Sequence, residues 1–211
     1  MNMTRNRRES KWLCRSVMLM AFCARISIPA LAQGTAVSSD GPPIDPQTTT
    51  RITLGGSSGT PGTSIVVPIY FTPAEQFPLG WLQVDIEFVS RNMKFAKLDI
   101  GASAEIGNVI LEQENTERKN DQGLEVTTLT LRASLPPAYE AGKGIPAGLL
   151  GYVTLQVLES AGPATISLRA NAKGTHLGTG KPVEDMRAFG AEVEVMAPGT
   201  EPMVACFFFT H

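Results

Sequence analysis

At 211 residues the chain is long enough for one ordinary domain with appendages, or for two small ones; 43% hydrophobic and 18% charged residues exclude a wholly disordered chain and a coiled coil. Gly 20 and Pro 15 favour many turns joining short strands. The formal charge of -2 hides a split: Arg5, Arg7, Arg8, Lys11, Arg15 and Arg25 oppose only Glu9 in residues 1–32, a net of +5, so the remainder carries -7, and an acidic body without clustered Lys and Arg argues against nucleic-acid binding.

Residues 1–32 read as a secretory signal. Arg5 to Arg15 supply a positive n-region, Val17 to Cys23 an apolar run, and Ala30-Leu31-Ala32 an A-x-A cleavage site. Arg25 interrupts the apolar stretch and leaves it too short for a membrane span, which needs about 20 residues. Arg7-Arg8 is followed by Glu9, Ser10 and Lys11, so a general export signal fits better than a twin-arginine one. Phe22 before Cys23 disfavours a lipoprotein site. Cleavage after Ala32 removes Cys14 and Cys23; the lone Cys206 then allows no intramolecular disulfide, so the fold must rest on its apolar core.

Gln33 to Thr50 is rich in Gly, Pro, Ser and Thr without apolar periodicity and reads as a flexible linker. A domain follows over residues 51–196, with period-two alternation in nine segments: Ile52–Leu54, Thr63–Thr72, Trp81–Phe88, Met93–Ile100, Ile106–Glu112, Leu124–Ala133, Leu149–Leu158, Ala164–Arg169 and Phe189–Met196. Pro68 points to an edge or a bulge in the second. In the third, Leu82, Val84, Ile86 and Phe88 face one way and Trp81, Gln83, Asp85 and Glu87 the other. No stretch of twelve residues carries a helical stripe, though 136–147 has room for one turn of helix. The expectation is an all-β, nine-stranded antiparallel β-sandwich of jelly-roll type. Residues 197–211 form a tail whose apolar part, Met203 to Phe209, is too short to cross a bilayer.

Enzymatic signals are weak. His176 and His211 are the histidines, and His176 lies in a Gly-rich stretch that reads as a solvated loop with neither a partner Cys nor metal-ligand spacing. Asp85 and Glu87 lie about 7 Å apart on one strand face. That spacing suits a glycosidase pair, but also the ordinary polar face of a half-buried strand. Glu112, Glu114, Glu117 and Asp121 lack the loop spacing of a calcium site and read as a solvated hairpin connection. A flat sugar-binding site uses several coplanar aromatics, whereas Trp81, Tyr70, Tyr139 and Tyr152 come from separate segments. Trp81 suits a protein-binding hot spot, or else a cap on the sandwich end.

The order of these features resembles cohesin domains, the receptor modules of cellulosome scaffoldins. The opening Gly59-Thr60-Pro61-Gly62-Thr63 with Ile65-Val66-Val67-Pro68-Ile69 is similar, as are Gly80 through Phe88, the pair Leu129–Ala133 and Gly148–Val157, and the closing Gly162–Leu168 and Gly190–Val195. Phe88-Val89-Ser90 stands where many members carry Tyr-Asp-Pro. The resemblance implies a non-catalytic, secreted or cell-surface module, without a cofactor, that binds a dockerin-type partner. Calcium would be carried by that partner. In the family the binding sheet comprises the third, fifth, sixth and eighth strands. Carried over, the partner-binding positions are Trp81, Gln83 and Asp85, then Thr128, Thr130 and Arg132, then Thr165, Ser167 and Arg169. The alternative is a carbohydrate-binding or adhesion module of the same sandwich superfamily.

Overall fold

The computed structural model describes residues 44–199 except 46, 76 and 138–142. The expected signal, the first part of the linker, the tail beyond Gly199, Tyr139 and all three cysteines lie outside the described residues. Eleven strands and one short helix follow in order: β1 (Thr50–Leu54), β2 (Ser57–Gly59), β3 (Ser64–Thr72), β4 (Leu79–Val89), β5 (Met93–Ile100), α1 (Ala102–Ile106), β6 (Ile110–Lys119), β7 (Glu125–Ser134), β8 (Gly148–Val157), β9 (Ala164–His176), β10 (Met186–Phe189) and β11 (Ala191–Val195). They form two sheets, ordered β10-β1-β3-β8-β5 and β2-β11-β9-β4-β7-β6.

The all-β sandwich stands, with two corrections. The described residues hold eleven strands rather than nine, and the sheets are mixed, because β1 pairs with β10 and β2 with β11 in parallel. Both departures come from short elements. Ser57–Gly59 offers three small residues, and the expected last strand divides at Gly190, where any β-carbon would run into the carbonyl of Leu168. The chain therefore changes sheets there, and Met186–Phe189 joins one sheet while Ala191–Val195 joins the other.

Alternation decides which face is buried. Leu82, Val84, Ile86 and Phe88 of β4 meet Leu129 and Leu131 of β7, Ile166 and Leu168 of β9, and the inward residues of the facing sheet, including Val67, Phe71, Val153 and Leu155. Each large side chain so buried contributes about 1.5–3 kcal/mol. Pro68 sits beside a register shift at Ile69/Tyr70, and β1 pairs with β3 only as far as Ile69, so no ladder partner there needs the N–H that proline lacks.

Three segments differ from expectation. Residues 106–112 do not form one strand: Ile106 ends α1 with 81% of its surface exposed, and β6 starts at Ile110. Glu112, Glu114 and Glu117 lie on β6 and not in a connecting loop; Asp121 alone of that group falls in the turn. Strand β9 continues beyond Arg169 to His176, so His176 is not a loop residue. Its ring packs 5.2 Å from that of Phe77, and its Nδ1 is buried without a hydrogen-bond partner. At the start, β1 begins at Thr50 and Thr49 is already buried, its hydroxyl donating to Asp185 Oδ2 at 2.6 Å.

Candidate functional site

The four strands expected to share a sheet are neighbours in it, in the order β9-β4-β7-β6. Register then places their outward residues in rows. Gln83 stands between Arg132 and Lys173, Asp85 between Thr130 and Asn171, and Glu87 between Thr128 and Arg169. On the far side of β7, Glu112, Glu114 and Thr116 face Arg132, Thr130 and Thr128. Trp81 heads the face, half-buried, opposite Ser134 and Thr175. Ile110, 45% exposed, faces the same Ser134 from β6, so this end of the face carries two large apolar side chains, Trp81 and Ile110.

The middle is a network of polar contacts. Asp85 Oδ1 accepts from Gln83 Nε2 at 2.9 Å and from Thr130 Oγ1 at 2.8 Å. Arg118 NH2 donates to Glu87 Oε2, and Arg132 NH2 to Glu114 Oε2 at 2.9 Å. Both carboxylates of the Asp85/Glu87 pair are thus engaged by neighbouring side chains. A shallow depression of about 450 Å³ lies over this network, floored by Asp85, Glu87, Thr128 and Thr130 and flanked by Arg118 and Arg169. Surface ion pairs of this kind add little stability, typically below about 1 kcal/mol, but they hold charges in fixed positions for a partner to read.

Seven of the nine expected positions stand in these rows: Trp81, Gln83, Asp85, Thr128, Thr130, Arg132 and Arg169. Thr165 and Ser167 continue the same face along β9 beyond Arg169, opposite Glu194 and Glu192 of β11, and line a neighbouring depression with Glu87 and Arg169. Glu87, read from the sequence as outward-facing but not among the expected partner-binding positions, belongs to the surface, as do Arg118 and Asn171. Arg118 sits on a strand too polar to show alternation, and Asn171 in a stretch, residues 170–174, that favours no strand by itself. Among the described residues, no three His, Cys, Asp or Glu side chains gather to hold a metal ion.

No protein-family model matches this chain, and no curated protein matches it. Solved structures do. The third cohesin of ScaC from Acetivibrio cellulolyticus, in complex with the ScaB dockerin, is 20% identical with a TM-score of 0.53, covering 71% of this chain and 100% of its own. The sixth cohesin of scaffoldin B from the same organism, in complex with a mutant Cel5 dockerin, gives 14% identity, a TM-score of 0.53 and the same coverages. The seventh ScaB type I cohesin from Pseudobacteroides cellulosolvens gives 15% identity and 0.52, over 76% of this chain and 99% of that one. The described sandwich therefore has the cohesin fold.

Proposed function

We infer that this chain is a non-catalytic protein-binding module that receives a dockerin-type partner on the outward face of β9, β4, β7 and β6. The observation that carries the reading is the continuity of that face within a cohesin fold: an end that carries Trp81 and Ile110 runs into rows of fixed charges and hydroxyls. An interface needs such a division, with binding energy concentrated in a few anchors and specificity set by the polar surround. Trp81 is the anchor. Thr128 and Thr130 offer hydroxyls, and Arg132 and Arg169 present cations at the rim. The chain is exported after cleavage behind Ala32 and works at or outside the cell surface, where such modules assemble other proteins.

The test is titration of the protein against a panel of dockerins that includes the ScaB dockerin of Acetivibrio cellulolyticus. Trp81→Ala should weaken the best complex at least thirtyfold, about 2 kcal/mol. If no dockerin binds, or if Trp81→Ala binds as tightly as the parent, the reading is wrong.

A further inference from the structure

The other sheet presents a different outward surface. Phe189 of β10 faces Thr53 of β1, Thr53 faces Tyr70 of β3, and Pro68 of β3 faces Tyr152 of β8. Tyr70 is 45% exposed, and Tyr70, Tyr152 and Phe189 all lie outside the hydrophobic core. With strands about 4.8 Å apart, Phe189 and Tyr70 stand about 10 Å from each other across Thr53, and Tyr152 lies on the next strand. Three aromatics far apart in sequence thus form a diagonal across the outer side of a sheet, with Tyr70 exposed and Tyr152 and Phe189 half-buried.

Charge on this face is distributed unlike the rest of the molecule. The outward positions of the six-stranded sheet include six acidic residues, Asp85, Glu87, Glu112, Glu114, Glu192 and Glu194, against four basic ones, Arg118, Arg132, Arg169 and Lys173. Here, by contrast, Arg51 and Arg187 face each other on β1 and β10, and Lys94 and Lys97 lie on β5 beside Asp99. Arg187 meets Asp185 at 3.5 Å, and Lys97 meets Asp99 at 2.8 Å. Arg51 differs from them. It has no ion-pair partner among the described residues, and its half-buried side chain carries a buried Nε without a hydrogen bond. A partly desolvated guanidinium without a counter-charge favours an anion that completes it.

We propose that this face binds an acidic polysaccharide of the uronic-acid type. Phe189, Tyr70 and Tyr152 stack against the apolar faces of successive sugar rings, and Arg51 takes a ring carboxylate through paired N–H donors. A neutral glycan would leave Arg51 uncompensated. An acidic peptide would satisfy the charge but make little use of flat rings spread along a diagonal, because protein anchors fill pockets. The site lies on the sheet opposite the proposed dockerin face, so the two readings stand or fall separately.

The test is native affinity electrophoresis of the full chain in gels containing soluble polygalacturonate, hydroxyethylcellulose or poly-glutamate. Polygalacturonate should retard the protein, and the other two polymers should not. Arg51→Gln and Tyr70→Ala should each weaken retardation at least tenfold while circular dichroism shows the parent fold; Tyr70 is exposed enough that its loss leaves the core intact. Four results would overturn the proposal: no retardation, retardation only by the neutral glycan, equal retardation by poly-glutamate (charge alone, or an acidic protein surface), or variants that migrate as the parent does.

Discussion

Ser90 shows how one side chain can anchor the start of a turn. Its hydroxyl and that of Thr127 lie 2.6 Å apart, both residues are buried, and the Ser90 N–H donates to the carbonyl of Glu125 at 3.0 Å. Here the strand end is held by hydrogen bonds to β7, where the resembled family often uses a Tyr-Asp-Pro turn. Ser90→Ala leaves the Thr127 hydroxyl buried and unpaired, which should cost about 1–3 kcal/mol in urea unfolding. Adding Thr127→Val removes the orphaned group, so the double variant should lose less than the two single losses together. Strictly additive losses would mean that the two hydroxyls do not depend on each other.

At the scale of elements, β6 differs from every other long strand. Its ten residues pair with β7 on one side only, and nearly all are exposed on both faces. A tight turn closes the hairpin: Asn120 Oδ1 accepts from the N–H groups of Gln122 and Leu124 at 3.0 and 2.9 Å, and Gly123 takes φ +75. A strand held by backbone bonds and few core contacts should open locally. Amide exchange over Glu112–Lys119 should run at least a hundredfold faster than over Leu82–Phe88; equal protection of the two segments would contradict this account. The same property made β6 hard to read. As an edge strand β6 carries charges on both faces, which discourage unwanted pairing, so its sequence lacks the alternation that betrays half-buried strands. Strands β4 and β7 were legible because each alternates between core and surface, and β5 was read to its exact ends, Met93 and Ile100. The second half of β9 was not, because Ala170-Asn171-Ala172-Lys173-Gly174 favours no strand by itself and is held there by β4. That omission hid Asn171 from the candidate face, whereas alternation gave the outward orientation of Trp81, Gln83, Asp85, Thr130 and Arg132, and the resemblance to cohesins placed their strands in one binding sheet.

Across the whole molecule, each sheet is completed by strands from opposite ends of the domain. Thr50 to Thr53 run alongside Met186 to Phe189, Ser57 to Gly59 alongside Val193 to Val195, and Thr49 is bonded to Asp185. Neither terminal partnership can form until almost all of the domain exists. A shortened chain that stops at Glu184 loses β10 and β11 together and leaves β1 and β9 with bare edges. It should show neither a cooperative melting transition nor the dispersed amide spectrum of the parent, and a sharp melt would refute this dependence. The ordering matters during biosynthesis. While the ribosome is still delivering residues before Met186, the first strand has no lateral partner on that side, and folding dominated by such distant pairings is slow. A nascent chain of this design therefore cannot complete either sheet until its last strands have emerged from the ribosome.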